Sequence, residues 1–273
     1  MTLRGTASLV SVPAERVPNG SFTYLLTARH NIRKAEASGD QLVLRVNMKS
    51  GRTDTVNLVG LRWFFPENEA SDVAVSSKAN ALAEHITYRR IPREMFATEE
   101  VIEKHSIGVG DELICTGLFV HHFGRKRNVP IIRSGNIAAM PDEPLVDPDS
   151  GLDYHAYLAE IRSIGGLSGS PVFVELGVGR QVEGSVNVGG IDRFLLGVVR
   201  GHWNKNEFDA AADFVVDEQD ELNSGIAIVT PITDALEVLD GEDFARERRE
   251  AEAAHLRMHA AVDGSPQVEV RGD

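Results

Sequence analysis

Along the first 60 residues apolar positions come in short, largely alternating runs, at 5–12, 22–28, 40–48 and 53–60. Turn-like segments separate them: Pro18-Asn19-Gly20, Ser38-Gly39-Asp40 and Ser50-Gly51-Arg52. A period of two in short runs predicts β-strands with one buried face. A further run, Trp63-Phe64-Phe65, stops at Pro66. Asp72 then opens a strand in which Val73 and Val75 share one face, while Asp72 and Ala74 share the other. A carboxylate beside a small residue leaves room for an imidazole.

Residues 76–110 read as a long crossover. Ile91 precedes Pro92 and is therefore extended, and Thr98-Glu99-Glu100 starts a brief helix to Lys104. Gly108-Val109-Gly110-Asp111 launches a second strand set, at 112–119, 129–133, 136–140, 156–161, 171–176, 193–200 and 225–230. The proline- and aspartate-rich stretch 141–151 and the acidic stretch 202–224 read as loops. From Pro231 the period changes to 3.6, with Ile232, Ala235, Leu236 and Leu239 on one side. Gly241 interrupts this helix, a highly charged one follows over 242–260, and the last dozen residues are expected to be disordered.

Composition narrows the function. Of 273 residues, 42% are apolar and 25% charged, which is ordinary for a globular chain long enough to bury a core. The net charge of −13 repels polyphosphate backbones, so no nucleic-acid partner is expected. No apolar stretch is long enough to span a membrane. The apolar stretch near the N-terminus is short and broken by Gly5, Thr6, Ser8 and Ser11, so it reads as a strand rather than a signal peptide. The single cysteine, Cys115, cannot form an internal disulfide, which points to a reducing, cytoplasmic setting. The terminal Arg271-Gly272-Asp273 spells a cell-adhesion tripeptide by chance.

Three segments carry chemistry. His30 ends Leu25-Leu26-Thr27-Ala28-Arg29-His30, Asp72 opens Asp72-Val73-Ala74-Val75, and Ser168 sits in Gly166-Leu167-Ser168-Gly169-Ser170-Pro171. A serine hydroxyl needs a base within reach and donors for the developing oxyanion. Gly166 and Gly169 let the backbone turn so that the amides of Gly166 and Ser168 point into one site. His30 follows a strand, where a short turn presents its ring. Asp72 holds the imidazole tautomer and stabilises the imidazolium. The order His, Asp, Ser in strand-like surroundings points to a serine hydrolase of the trypsin type. The Gly-x-Ser-x-Gly elbow of another hydrolase class fails at Ser170, and the chain order of that class fails as well.

On these motifs the chain resembles the bacterial trypsin-like serine peptidases. Weaker similarity covers 128–138, 196–199 and 225–228. The resemblance implies an all-β, chymotrypsin-type fold of two six-stranded-type antiparallel barrels. The N-terminal barrel, 1–105, would carry His30 and Asp72, and the C-terminal barrel, 106–232, would carry Ser168. A helix and disordered tail occupy 233–273. Only four residues precede Gly5, so the family's first strand is expected to be missing, leaving the edge of 5–12 to be covered or paired. Substrate-binding positions follow loosely. Arg162 and Ser163 line the pocket floor, Arg200, Gly201 and His202 form the edge that pairs with substrate backbone, and Gly225 lies on the far wall. An arginine in the floor would favour an acidic side chain if it points inward.

Leu167 stands where activatable relatives carry an aspartate that pairs with a newly cut amino terminus. The serine loop is therefore expected to be ordered by packing, with Leu167 as an apolar anchor and no cleavage required. No cofactor is called for. No metal is called for either, because His85 and His105 lack a ligand pattern and His121 and His122 face opposite sides of a strand. His255 and His259 lie on an exposed helix face. Two functions stand at this point: a serine endopeptidase acting on a peptide or protein substrate, or a weak or inactive trypsin-like scaffold that binds such a partner. Oligomeric state is open.

Overall fold

The first strand, β1 (Ser8–Pro13), turns Val10 and Val12 into the core. It pairs antiparallel with β2 (Ser21–Thr27) along its whole length, from Ser8 opposite Leu26 to Pro13 opposite Ser21. The chain was described with a computed structural model covering residues 5–79, 86–120, 122–148, 150–161, 166–178, 181–182, 185–186, 192–202 and 225–263. After β2 comes helix α1 (Arg29–Ser38), ended by Gly39 in the left-handed conformation at φ 64°. Then follow β3 (Val43–Asn47), β4 (Thr53–Asn57), β5 (Trp63–Phe64), β6 (Ala74–Ser76) and β7 (Ile91–Pro92).

The order β5-β6-β2-β1-β7 makes one five-stranded sheet, and β3–β4 stands apart as a hairpin. Among the described residues, the hairpin is bridged through Met48 to Ile86, just before β7. The edge of β1 is covered as expected. Val10 and Ser11 pair in parallel with Ile91 and Pro92, and a proline is tolerated there because the strand is an edge.

The short helix α2 (Glu99–His105) is capped by Thr98, whose hydroxyl accepts from the Val101 N–H at 3.3 Å. The second half contains β8 (Glu112–Gly117), β9 (Ile131–Ala139), β10 (Leu145–Val146), β11 (Asp153–Tyr154) and β12 (Tyr157–Glu160). It continues with β13 (Pro171–Leu176), β14 (Gln181–Val182), β15 (Ser185–Val186), β16 (Asp192–His202) and β17 (Ile226–Pro231). Six of these close into a barrel in the order β12-β17-β16-β13-β8-β9. Each of the six strands pairs with two neighbours, and the interior holds Leu113, Cys115, Ile137, Val172, Val174 and Val229. The stretch expected as two strands around Ser134-Gly135-Asn136 is one continuous β9. The loop expected at 141–151 contributes β10, which pairs with β11.

Two helices close the described chain: α3 (Ile232–Asp240) and α4 (Glu242–Asp263). The 3.6 period of α3 buries Ile232, Ala235, Val238 and Leu239. They join Val10, Phe22 and Leu26 of the first half and Leu195 and Val198 of the second in a single core. Phe244 of α4 packs on Tyr24 and Phe64, with ring centroids 5.3 and 4.7 Å apart. The C-terminal helices are therefore part of the seam between the halves.

One carboxylate in that seam sets a pH response. Asp234 of α3 accepts from Ser71 Oγ at 2.5 Å. Burial raises its pKa, and the nearby Glu237 charge raises it further, against the lowering effects of Ser71, His155 and Thr233. Tyr157 also feels this charge. Because the folded value lies above the unfolded one, this stability is present in acid and lost as pH rises through the folded value. Asp234→Asn should remove that loss. Relative to the wild type, its urea midpoint is expected to rise as pH increases above about 4.

Candidate active site

The histidine sits in the first turn of a helix. Thr27 ends β2, Ala28 is extended at φ −73° and ψ 139°, and α1 begins at Arg29. Ala28 supplies no side-chain cap, so the first N–H groups of α1 need acceptors from elsewhere. Asp72 provides one: its Oδ1 accepts from the His30 backbone N–H at 2.8 Å. Its Oδ2 lies 2.7 Å from His30 Nδ1. With Nδ1–H donating to the carboxylate, Nε2 is the nitrogen left to act as a base. The two side chains are 29% and 9% exposed, so the imidazole reaches solvent while the carboxylate does not. Asp72 precedes β6, whose Ala74 and Val75 pair with Thr27 and Leu26 of β2. The sheet register is what sets the two residues side by side.

The serine turn is bound to the same place. The Ser168 carbonyl accepts from the Thr6 N–H at 2.9 Å and from Asn31 Nδ2 at 3.2 Å, and Asn31 is the residue after His30. Asn31 also donates to Thr27 Oγ1 at 3.2 Å, and that hydroxyl donates to the Thr6 carbonyl at 2.7 Å. Gly169, at φ +81°, lies so close that a Cβ there would stand 2.3 Å from the Thr6 oxygen and 2.9 Å from the Ala28 nitrogen. Only glycine fits. The turn closes through Ser170 N–H to the Leu167 carbonyl at 2.8 Å and is tied to β16 through Gly169 N–H to the Val199 carbonyl at 2.7 Å.

Ser168 Oγ donates to the Arg200 carbonyl at 3.4 Å, and among the described residues no hydrogen bond joins it to the His30 ring. Gly166 adopts φ +96°. Among the described residues, the N–H groups of Gly166 and Ser168 have no protein acceptor. Leu167 is 1% exposed and belongs to the core of the closed barrel, so it anchors the turn from inside rather than facing solvent.

Thr6 and Asn31 were not visible as site residues in the sequence, since their partners lie 160 and 137 positions away. Thr6 Oγ1 donates to the Gly166 carbonyl at 3.0 Å and accepts from the Leu118 N–H at 2.9 Å. Thr6→Val keeps the shape and deletes both bonds. It is expected to cost about 1–3 kcal/mol in a urea melt, because the Leu118 N–H is left without its partner.

The substrate positions fall out unevenly. Arg162 and Ser163 lie outside the described residues. Gly225 adopts φ +82° just before β17. Gly201 and His202 end β16, opposite Ile228 and Ala227 of β17. Pairing of β16 with β13 runs only to Val198, so Arg200, Gly201 and His202 have a strand on one side and, among the described residues, none on the other. The Arg200 side chain is engaged within the protein. It donates to the Ala70 carbonyl and to Asp147 and lies over the Tyr154 ring. Among the described residues no three His, Cys, Asp or Glu side chains cluster as metal ligands, and the His255 and His259 rings pack on each other at 4.3 Å. No described helix is long and apolar enough to cross a membrane.

A five-stranded sheet and a hairpin thus precede a closed six-stranded barrel, and two helices follow it. No protein-family model matches the chain, and neither does any curated protein. Among solved structures it is similar to a mutant of human heparin binding protein, at 10% identity and a TM-score of 0.38, over 88% of this chain and 95% of that one.

Proposed function

We propose that the chain is a serine endopeptidase that hydrolyses peptide bonds through His30, Asp72 and Ser168. The observation that carries this reading is the doubly bonded Asp72–His30 pair, with the serine turn fastened to the residue beside the histidine. In the mechanism, His30 Nε2 takes the Ser168 Oγ proton as Oγ attacks the scissile carbonyl. The resulting oxyanion is bound by the N–H groups of Gly166 and Ser168. The imidazolium, stabilised by Asp72, gives its proton to the leaving amine. Water then repeats the sequence and frees the serine. The segment 200–202 pairs with the backbone of the bound peptide by adding it as a strand. The chemistry needs no cofactor.

A second reading, a scaffold that binds a peptide or protein partner with little turnover, is favoured by one observation. Ser168 Oγ is directed to the Arg200 carbonyl and not to the imidazole. Such bonds are often loose in the absence of substrate and tighten in the reacting complex. A fluorophosphonate probe separates the two. Stoichiometric labelling, mapped to Ser168 by peptide mass, is expected. Intact protein that stays unmodified after long exposure would establish the scaffold.

A further inference from the structure

We propose that Arg200 is a positioning residue, which holds the segment before Asp72 in register with the serine turn. The inference rests on the peptidase reading above. In that reading the nucleophile comes from one half of the molecule and its base from the other. Their separation then depends on whatever fixes one half against the other, and about 1 Å of misplacement costs on the order of 100-fold in rate.

Arg200 touches both sides of that gap. Its carbonyl accepts from Ser168 Oγ at 3.4 Å. Its guanidinium Nη1 donates to the carbonyl of Ala70, two residues before Asp72. Its Nη2 is paired with Asp147 Oδ2, and the guanidinium lies 4.2 Å from the centre of the Tyr154 ring.

The site is built rather than incidental. Asp147 is buried, and its Oδ1 accepts from both the N–H and the Oγ of Ser150, each at 2.9 Å. Burial alone would raise its pKa, but the Ser150 bonds and the Arg200 charge prevail and hold it below the ordinary carboxylate value. Ala70 and Tyr154 are buried together with Ala156 and Ile228 in a small apolar cluster. A buried ion pair is seldom kept for stability, because an apolar pair of the same volume usually does as well. What an apolar side chain at position 200 cannot do is donate to the Ala70 carbonyl. The rest of the segment is fixed by other partners: Asn68 Nδ2 donates to the Asp153 carbonyl at 2.8 Å, and Ser71 Oγ to Asp234 at 2.5 Å. Besides the path through Asp72, His30 and Asn31, Arg200 is a link from this segment to the serine itself.

The test uses the full chain, the fluorophosphonate probe, and four variants: Arg200→Met, Arg200→Lys, Asp147→Leu and the double variant Arg200→Met/Asp147→Leu. The double variant removes the ion pair without leaving a buried charge, so it is expected to regain most of the urea midpoint lost by the single variants. Its labelling is nevertheless expected to stay at least about 10-fold slower than wild type, and Arg200→Met to be about 100-fold slower. Arg200→Lys keeps the charge but has no planar fork, so it should not restore the rate. The proton NMR signal of His30 Nδ1–H bonded to Asp72 should broaden or vanish in the folded double variant. A double variant that labels at the wild-type rate with that signal intact overturns this proposal and makes the ion pair purely structural. Wild-type protein that takes up no probe overturns the peptidase reading instead, and this one with it.

Discussion

Ser168→Ala should abolish fluorophosphonate labelling, and turnover of any cleaved peptide should fall by about 10³-fold or more. His30→Ala and Asp72→Asn are expected to cause losses of the same order. The three will not add, because each removal already disables the unit that moves the proton. The structure separates their side effects. Ser168 uses its backbone to bind Thr6 and Asn31, and among the described residues its hydroxyl bonds only to the Arg200 carbonyl, at 3.4 Å, so alanine should leave the urea midpoint almost unchanged. Among the described residues the His30 side chain bonds only to Asp72, and its N–H survives substitution. Asp72→Asn keeps an acceptor for the helix but offers an amide in place of the oxyanion that holds Nδ1–H. A combination of turnover assays and urea melts therefore distinguishes chemistry from folding. Near wild-type turnover in His30→Ala would sink the mechanism.

Leu167→Asp is expected to be the most damaging change outside those three. In the peptidases that the sequence motifs resemble, members switched on by cleavage carry an aspartate at the matching position, so the substitution tests whether this chain orders its serine turn in that way. Leu167 lies in the apolar interior of the closed barrel with Leu113, Cys115 and Val172. Loss of the buried leucine and burial of an unpaired polar group together should cost about 3 kcal/mol or more. Because the leucine adjoins the nucleophile, labelling should fall with it. Leu167→Met preserves volume and apolarity and is expected to cost under about 1.5 kcal/mol, with labelling retained. A gain of activity in Leu167→Asp would show that the turn is ordered by charge after all.

Most strands were legible because alternation is a local signal, clearest in β8, where Leu113, Cys115 and Gly117 are buried in turn. Helix α1 was not. Its stretch Arg29-His30-Asn31-Ile32-Arg33-Lys34-Ala35-Glu36 buries just Ile32 and Ala35, too sparse a stripe to show a period of 3.6. The residue before it carries no capping side chain, since the acceptor is Asp72, 42 positions on. His30 therefore read as a turn residue although it lies in the first turn of a helix. In β9, Ser134-Gly135-Asn136 looked like a break. Glycine is there for a close approach instead: a Cβ at Gly135 would stand 2.0 Å from the Glu160 carbonyl oxygen. The sequence placed Arg200 on the edge for substrate backbone, but the partners of its side chain, Ala70 and Asp147, come from distant segments and left no local signal. The candidate triad was legible from motif and order, and the bonds of Thr6 and Asn31 that fasten it were not.

The double duty of Asp72 bears on how a substrate trap should be made from this protein. A trap must still recognise its target and hold it uncleaved, so the disabling change has to leave the cleft intact. Asp72→Ala would fail on this count, because it also strips the cap from α1 and so loosens His30 and Asn31, at an expected cost of about 1 kcal/mol. Ser168→Ala leaves that helix, its cap and the Asn31 bond in place. Under the peptidase reading, proteins captured by the Ser168→Ala form would be genuine targets, and capture by an Asp72 variant would report a disturbed surface as readily as a true substrate.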